Sequence, residues 1–74
     1  MPVVQVHLKE GRSPEERRQL VRRITDAMVE VCGAVEERVH VIINEVPGDS
    51  WGRGGALLSD LAATPAPDSP AKPG

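Results

Sequence analysis

Two runs of strand-forming residues stand on either side of a single amphipathic helix, and that order leaves few folds open. The first, Pro2-Val3-Val4-Gln5-Val6-His7-Leu8, alternates in hydrophobicity, and the second, Val39 to Val46, is rich in β-branched residues. Strand, long helix, strand is one βαβ unit, an α+β architecture in which the two strands run parallel through a right-handed crossover. Two strands alone expose two edges and bury little, so a second copy of the chain is expected to join its sheet to this one. Size points the same way. The periodic segments fall within residues 2–61 of 74, and a lone core of about 60 residues is marginal without disulfides, metal or a partner. Cys32 is the only cysteine, and it makes a poor zinc set with two histidines, so no metal is expected and oligomerisation is the remaining device.

The helix announces its own limits. Ser13 can cap, Pro14 suits the first helical position, where its missing N–H is no loss, and Glu16 completes a capping box. Leu20, Val21, Ile24, Ala27, Met28 and Val31 then recur at the spacing of one helical face. Arg17, Arg18, Arg22, Arg23, Asp26 and Glu30 are assigned to the opposite, solvated face, with Glu15, Glu16 and Asp26 available to pair with the arginines. Gly33 is a natural C-terminal stop, and Cys32 beside it reads as a small packing residue.

Beyond the second strand, Pro47-Gly48-Asp49-Ser50 is turn material, and Trp51-Gly52-Arg53-Gly54-Gly55 can form a short C-terminal hairpin. Neither loop matches a phosphate-binding fingerprint. Ala56 to Leu61 is an apolar end piece, and residues 62–74, with Pro65, Pro67, Pro70 and Pro73, read as a disordered Pro/Ala-rich tail. Nine basic and eleven acidic residues leave a net charge of -2, and Trp51 is the sole aromatic, so no nucleic-acid partner is expected. No apolar stretch approaches the ~20 residues of a membrane span and no secretory signal is visible, which predicts a cytoplasmic protein without a membrane partner.

Pro2 follows Met1 directly. An initiator methionine ahead of a small side chain is generally removed, which would leave Pro2 with a free secondary amine at the head of a strand. An α-amino group has an intrinsic pKa near ~8, so such a nitrogen can act as a base near neutral pH, held on a rigid element.

Pro2 after Met1, Glu10-Gly11-Arg12-Ser13 ahead of the helix, the Val39 to Glu45 strand and Trp51-Gly52-Arg53-Gly54-Gly55 together resemble the tautomerase superfamily, specifically its short 4-oxalocrotonate tautomerase type. The resemblance runs from Pro2 to about Leu61. It implies βαβ subunits that pair their sheets into dimers, three of which make a homohexamer. It implies a cofactor-independent isomerase in which Pro2 is the general base, moving a proton between the carbons of an enol or enone carboxylate, with Arg12 binding a carboxylate through its planar fork.

The family's second arginine aligns with His40, which is only partly charged near neutral pH and cannot form a bidentate fork. His40 is therefore either a donor at the substrate oxygen or a strand histidine on the solvent face. Trp51 stands where the family places a pocket-lining phenylalanine, and Arg53 offers to offset the charge lost at His40. The expected catalytic residues are Pro2, Arg12 and His40, and the expected substrate-binding residues Arg12, Trp51 and Arg53. The expected reaction is enol–keto interconversion of a small unsaturated 2-oxo or 2-hydroxy acid such as 2-hydroxymuconate, with no cofactor. The alternatives are another Pro2-dependent reaction (hydration with dehalogenation, or decarboxylation) and a non-catalytic oligomeric binding module.

Overall fold

A computed structural model describes residues 1–63. Strand β1 (Val3–Lys9) leads through a turn into helix α1 (Pro14–Cys32), a single 3-10 turn at Glu36–Arg38 precedes strand β2 (His40–Val46), and a second one at Gly48–Ser50 follows it. The described chain ends with strands β3 (Gly52–Arg53) and β4 (Ala56–Leu57) and helix α2 (Leu58–Ala63). The strands β1 and β2 pair in parallel, from Val3 opposite His40 to Lys9 opposite Val46. The expected C-terminal hairpin is present: β3 and β4 are antiparallel, and Gly54 and Gly55 turn it with φ of 63° and 88°, a conformation that a side chain would strain. Helix α2 takes up Ala62 and Ala63, the first two residues of the expected tail. The remainder of that segment, 64–74, lies outside the described residues.

Both ends of α1 form as their residues dictate. The Ser13 hydroxyl accepts from the Glu16 N–H at 3.1 Å while the Glu16 carboxylate accepts from the Ser13 N–H at 2.9 Å. At the other end Gly33 adopts φ 70°, the left-handed cap, and its N–H donates to the Val29 carbonyl at 3.0 Å.

Strand alternation divides the sheet into unlike faces. Val4, Val6 and Leu8 of β1 and Val41, Ile43 and Glu45 of β2 are half-buried under α1, while Val3, Gln5, His7, Lys9, His40, Ile42 and Asn44 are exposed on the other side. The helix meets the sheet through Leu20, Val21, Ile24, Met28 and Val29, with Thr25 the one buried residue among those described. Two residues of the expected apolar face are not on it. Ala27 is exposed and Val31 is 82 % exposed, because two strands are too narrow to cover the whole stripe and both residues fall on the flank it leaves out. Cys32 is also exposed rather than packed. No apolar side chain is fully buried among the described residues, so this subunit lacks the dry core that stabilises an independent domain.

Candidate active site

Pro2 is half-buried at the start of β1, and its carbonyl accepts the His40 N–H at 3.0 Å. That bond extends the parallel ladder one step beyond Val3 and ties the expected base to the sheet. The backbones of Pro2 and His40 are thus brought together. Their side chains are not: continuing the β1 alternation puts the Pro2 ring on the helix-covered face with Val4 and Val6, whereas His40 lies on the open face beside Val3 and Ile42. Within one chain His40 is therefore the solvent-face histidine of the second sequence reading, directed away from the ring of its own Pro2.

Arg12, Trp51 and Arg53 occupy the opposite end of the sheet. Seven residues of β1 at ~3.3 Å each separate the Pro2 end from the turn that carries Arg12, a span of about 23 Å. Glu10 closes the sheet at that end, its N–H donating to the Val46 carbonyl at 2.9 Å, and Gly11 then takes φ 130°, which turns the chain toward α1. Arg12 is exposed and lines a cleft of about 270 Å³ with Leu8, Glu16, Arg17 and Leu20. Trp51, half-buried, follows the 3-10 turn, and its carbonyl accepts the Leu58 N–H at 2.8 Å, which fastens the hairpin to α2. Arg53 is exposed in the hairpin itself. A larger groove of about 680 Å³ runs between α1 and the outer edge of β2, past Arg18, Val21, Thr25 and Val41, and it includes none of the five expected site residues.

The arginines of α1 divide in a way the helical pattern did not anticipate. Arg18 pairs with Glu15 at 3.2 Å and Arg22 with Asp26 at 2.7 Å, as expected of a solvated face. Arg22 also reaches Glu36 at 3.1 Å, so the 3-10 turn ahead of β2 is fastened to the helix, and its hydrogen bonds with Asp26 and Glu36 raise the Arg22 pKa further. Arg17 departs from the expectation. It is half-buried and donates to the Glu45 carboxylate on β2 at 3.1 Å and to the Arg12 carbonyl at 2.7 Å. A signal for this was available: Arg17 stands three, four and seven residues before Leu20, Val21 and Ile24, on the stripe that meets the sheet, and Glu45 alternates with Val41 and Ile43.

The model of the family described as "Tautomerase enzyme" matches residues 2–61. A 2-hydroxymuconate tautomerase of Bacillus subtilis is 43 % identical over 61 residues, covering 82 % of this chain and 98 % of that relative. Among solved structures, TomN, a 4-oxalocrotonate tautomerase homologue of the tomaymycin biosynthetic pathway, superposes with a TM-score of 0.84 at 38 % identity, covering 88 % of this chain and all of its own. A heterohexameric 4-oxalocrotonate tautomerase from Chloroflexus aurantiacus gives a TM-score of 0.77 at 31 % identity, with 82 % of this chain and 98 % of its own covered. These likenesses favour tautomerisation over the dehalogenation, decarboxylation and scaffold alternatives. From the anchored proline, the parallel βαβ unit and the glycine-turned hairpin to the near-complete match with these relatives, the findings converge: this chain belongs to the tautomerase family, as an isomerase of the 4-oxalocrotonate tautomerase type.

Proposed function

We propose that the protein interconverts the enol and keto forms of a small unsaturated 2-hydroxy or 2-oxo acid such as 2-hydroxymuconate, with Pro2 as the general base once Met1 has been removed. The observation that carries this reading is the ladder bond from His40 to the Pro2 carbonyl, which holds the nitrogen at a fixed place on the sheet. An α-amino group titrating near ~8 is partly neutral at cellular pH and can both take and return a proton. Tautomerisation moves one proton with no change of oxidation state and no group lost, so it requires no cofactor. Arg12 would hold the substrate carboxylate, Trp51 would exclude water from the site, and His40 and Arg53 would meet the remaining polar end.

Each complete site would be shared between copies of the chain. Pro2 and Arg12 stand at opposite ends of β1, one edge of which pairs with no strand among the described residues. Antiparallel pairing of β1 with β1 across a two-fold axis would lay the Arg12 turn of a second copy beside Pro2. Three such dimers would make the hexamer that the family resemblance implies, with the open sheet faces covered between dimers.

The test is turnover of 2-hydroxymuconate by the native chain and by Pro2→Leu, whose bulky second residue keeps Met1 in place and so turns the nitrogen into a non-basic amide, with the N-terminus of both read by mass spectrometry. The expectation is loss of Met1 from the native chain and a rate at least ~10²-fold lower for the variant, the usual contribution of a positioned general base. Equal rates would end the proposal.

A further inference from the structure

The turn that carries Arg12 is held at its start by a backbone bond, at its finish by a capping box and in its middle by one further side chain. Glu10 fixes the start through Val46, and the Ser13–Glu16 capping box fixes the finish. Between them Gly11 has φ 130° and open space around its α-carbon, so the glycine itself restrains little. The remaining restraint is the Arg17 guanidinium, whose Nη1 donates to the Arg12 carbonyl at 2.7 Å and to Glu45 Oε1 at 3.1 Å. Glu45 is rooted in the ladder of the sheet, opposite Leu8 of β1 and one pair from its end. A continuous path of charge-assisted bonds thus runs from β2, through α1, to the peptide of Arg12.

We propose that Arg17 and Glu45 are positioning residues for Arg12, setting the angle at which its guanidinium is offered to the substrate carboxylate. This rests on Arg12 being that carboxylate's ligand. The pair is poorly suited to a merely stabilising role. The Glu45 side chain is only 25 % exposed, and its Oε2 is buried with no partner among the described residues, a costly arrangement for a charged group. What the carboxylate gains is a rigid hold on Arg17, and through it on a turn whose glycine would otherwise let it swing. Displacement of a positioning group by about 1 Å can cost on the order of a hundredfold in a positioned reaction, so a device of this kind has a function to serve.

Electrostatics and positioning predict opposite outcomes when Glu45 is neutralised, which makes the proposal testable. Removing a negative charge near an anion site should tighten binding of a dicarboxylate. Loosening Arg12 should weaken it. Glu45→Gln, Arg17→Met, Arg17→Lys, Arg12→Ala and the double variant Arg12→Ala/Glu45→Gln would be assayed on 2-hydroxymuconate, with oligomer mass and circular dichroism recorded for each. The expected result is a KM raised on the order of tenfold by Glu45→Gln, with kcat within about twofold of native, and little further change when the same substitution is made in the Arg12→Ala background. Arg17→Lys should recover part of what Arg17→Met loses; should Arg17→Met not fold, Glu45→Gln decides the matter. A KM unchanged or lowered by Glu45→Gln, or raised equally with and without Arg12, overturns the positioning role. If Arg12→Ala itself leaves KM unchanged, the carboxylate assignment of Arg12 fails, and the proposal with it, by a result distinct from the others.

Discussion

The two ends of the β1–β2 sheet differ in how their functional groups are held. At the Pro2 end the atom proposed to react belongs to the backbone, and one ladder hydrogen bond from His40 to the Pro2 carbonyl ties that residue to the sheet. At the Arg12 end the proposed substrate-binding groups are side chains on turns: Arg12 beyond a left-handed glycine, Trp51 and Arg53 at a hairpin closed by two more. A base must be kept at one point, while a clamp must be aimed, and aiming takes the added bonds of Arg17 and Glu45. The two ends are also too far apart to cooperate within one chain, so the proposed chemistry requires assembly.

The largest effect that could break this comparison is complementation. Pro2→Leu chains, expected to retain on the order of a hundredth of native activity or less, and Arg12→Ala chains, expected to retain about a tenth to a hundredth at low substrate, would be unfolded together and refolded as a mixture. If each site draws Pro2 and Arg12 from different chains, roughly a quarter of the sites regain both groups, and activity rises far above either parent. No gain on mixing would place both residues in one chain and refute the shared site.

Next in size is Arg12→Ala alone, for which KM should rise about 10- to 100-fold, matching the ~1.5–3 kcal/mol of hydrogen bonds to a charged group; steady-state kinetics on a dicarboxylate check it. Smaller again is His40→Arg, which restores the fork that the resemblance leads one to expect there. It should lower KM for a dicarboxylate several-fold, by about 1 kcal/mol, and leave a monocarboxylate analogue unchanged. An equal effect on both substrates would show that the open-face histidine does not sort them. The smallest effect is structural. Ser13→Ala removes half of the capping box next to the Arg12 turn and should cost about 1 kcal/mol of stability in denaturant titration at fixed protein concentration.

The sequence showed those features that depend on neighbours along the chain. The start of α1 at Pro14, its stop at Gly33 and the hairpin at Gly54 and Gly55 are local matters of capping and φ, and all three are where the residues predict. Arg17 was misassigned to the solvated face because its partner, Glu45, is 28 residues away and only the parallel register brings them together. Ala27 and Val31 failed for a related reason: periodicity identifies an apolar stripe but not the width of the sheet beneath it. The opposed directions of Pro2 and His40 were implicit in strand alternation, yet they gain meaning only once the two strands are known to pair with Val3 opposite His40.

The want of a dry interior in the single subunit has a consequence for how the protein behaves in dilute solution. A chain whose apolar side chains, among the described residues, all remain at least partly wet has little reason to stay folded alone, so its unfolding midpoint should climb with concentration, as mass action demands when native structure and association are one equilibrium. Turnover per chain would then fall away below a threshold abundance, giving the catalyst an on–off dependence on its own supply.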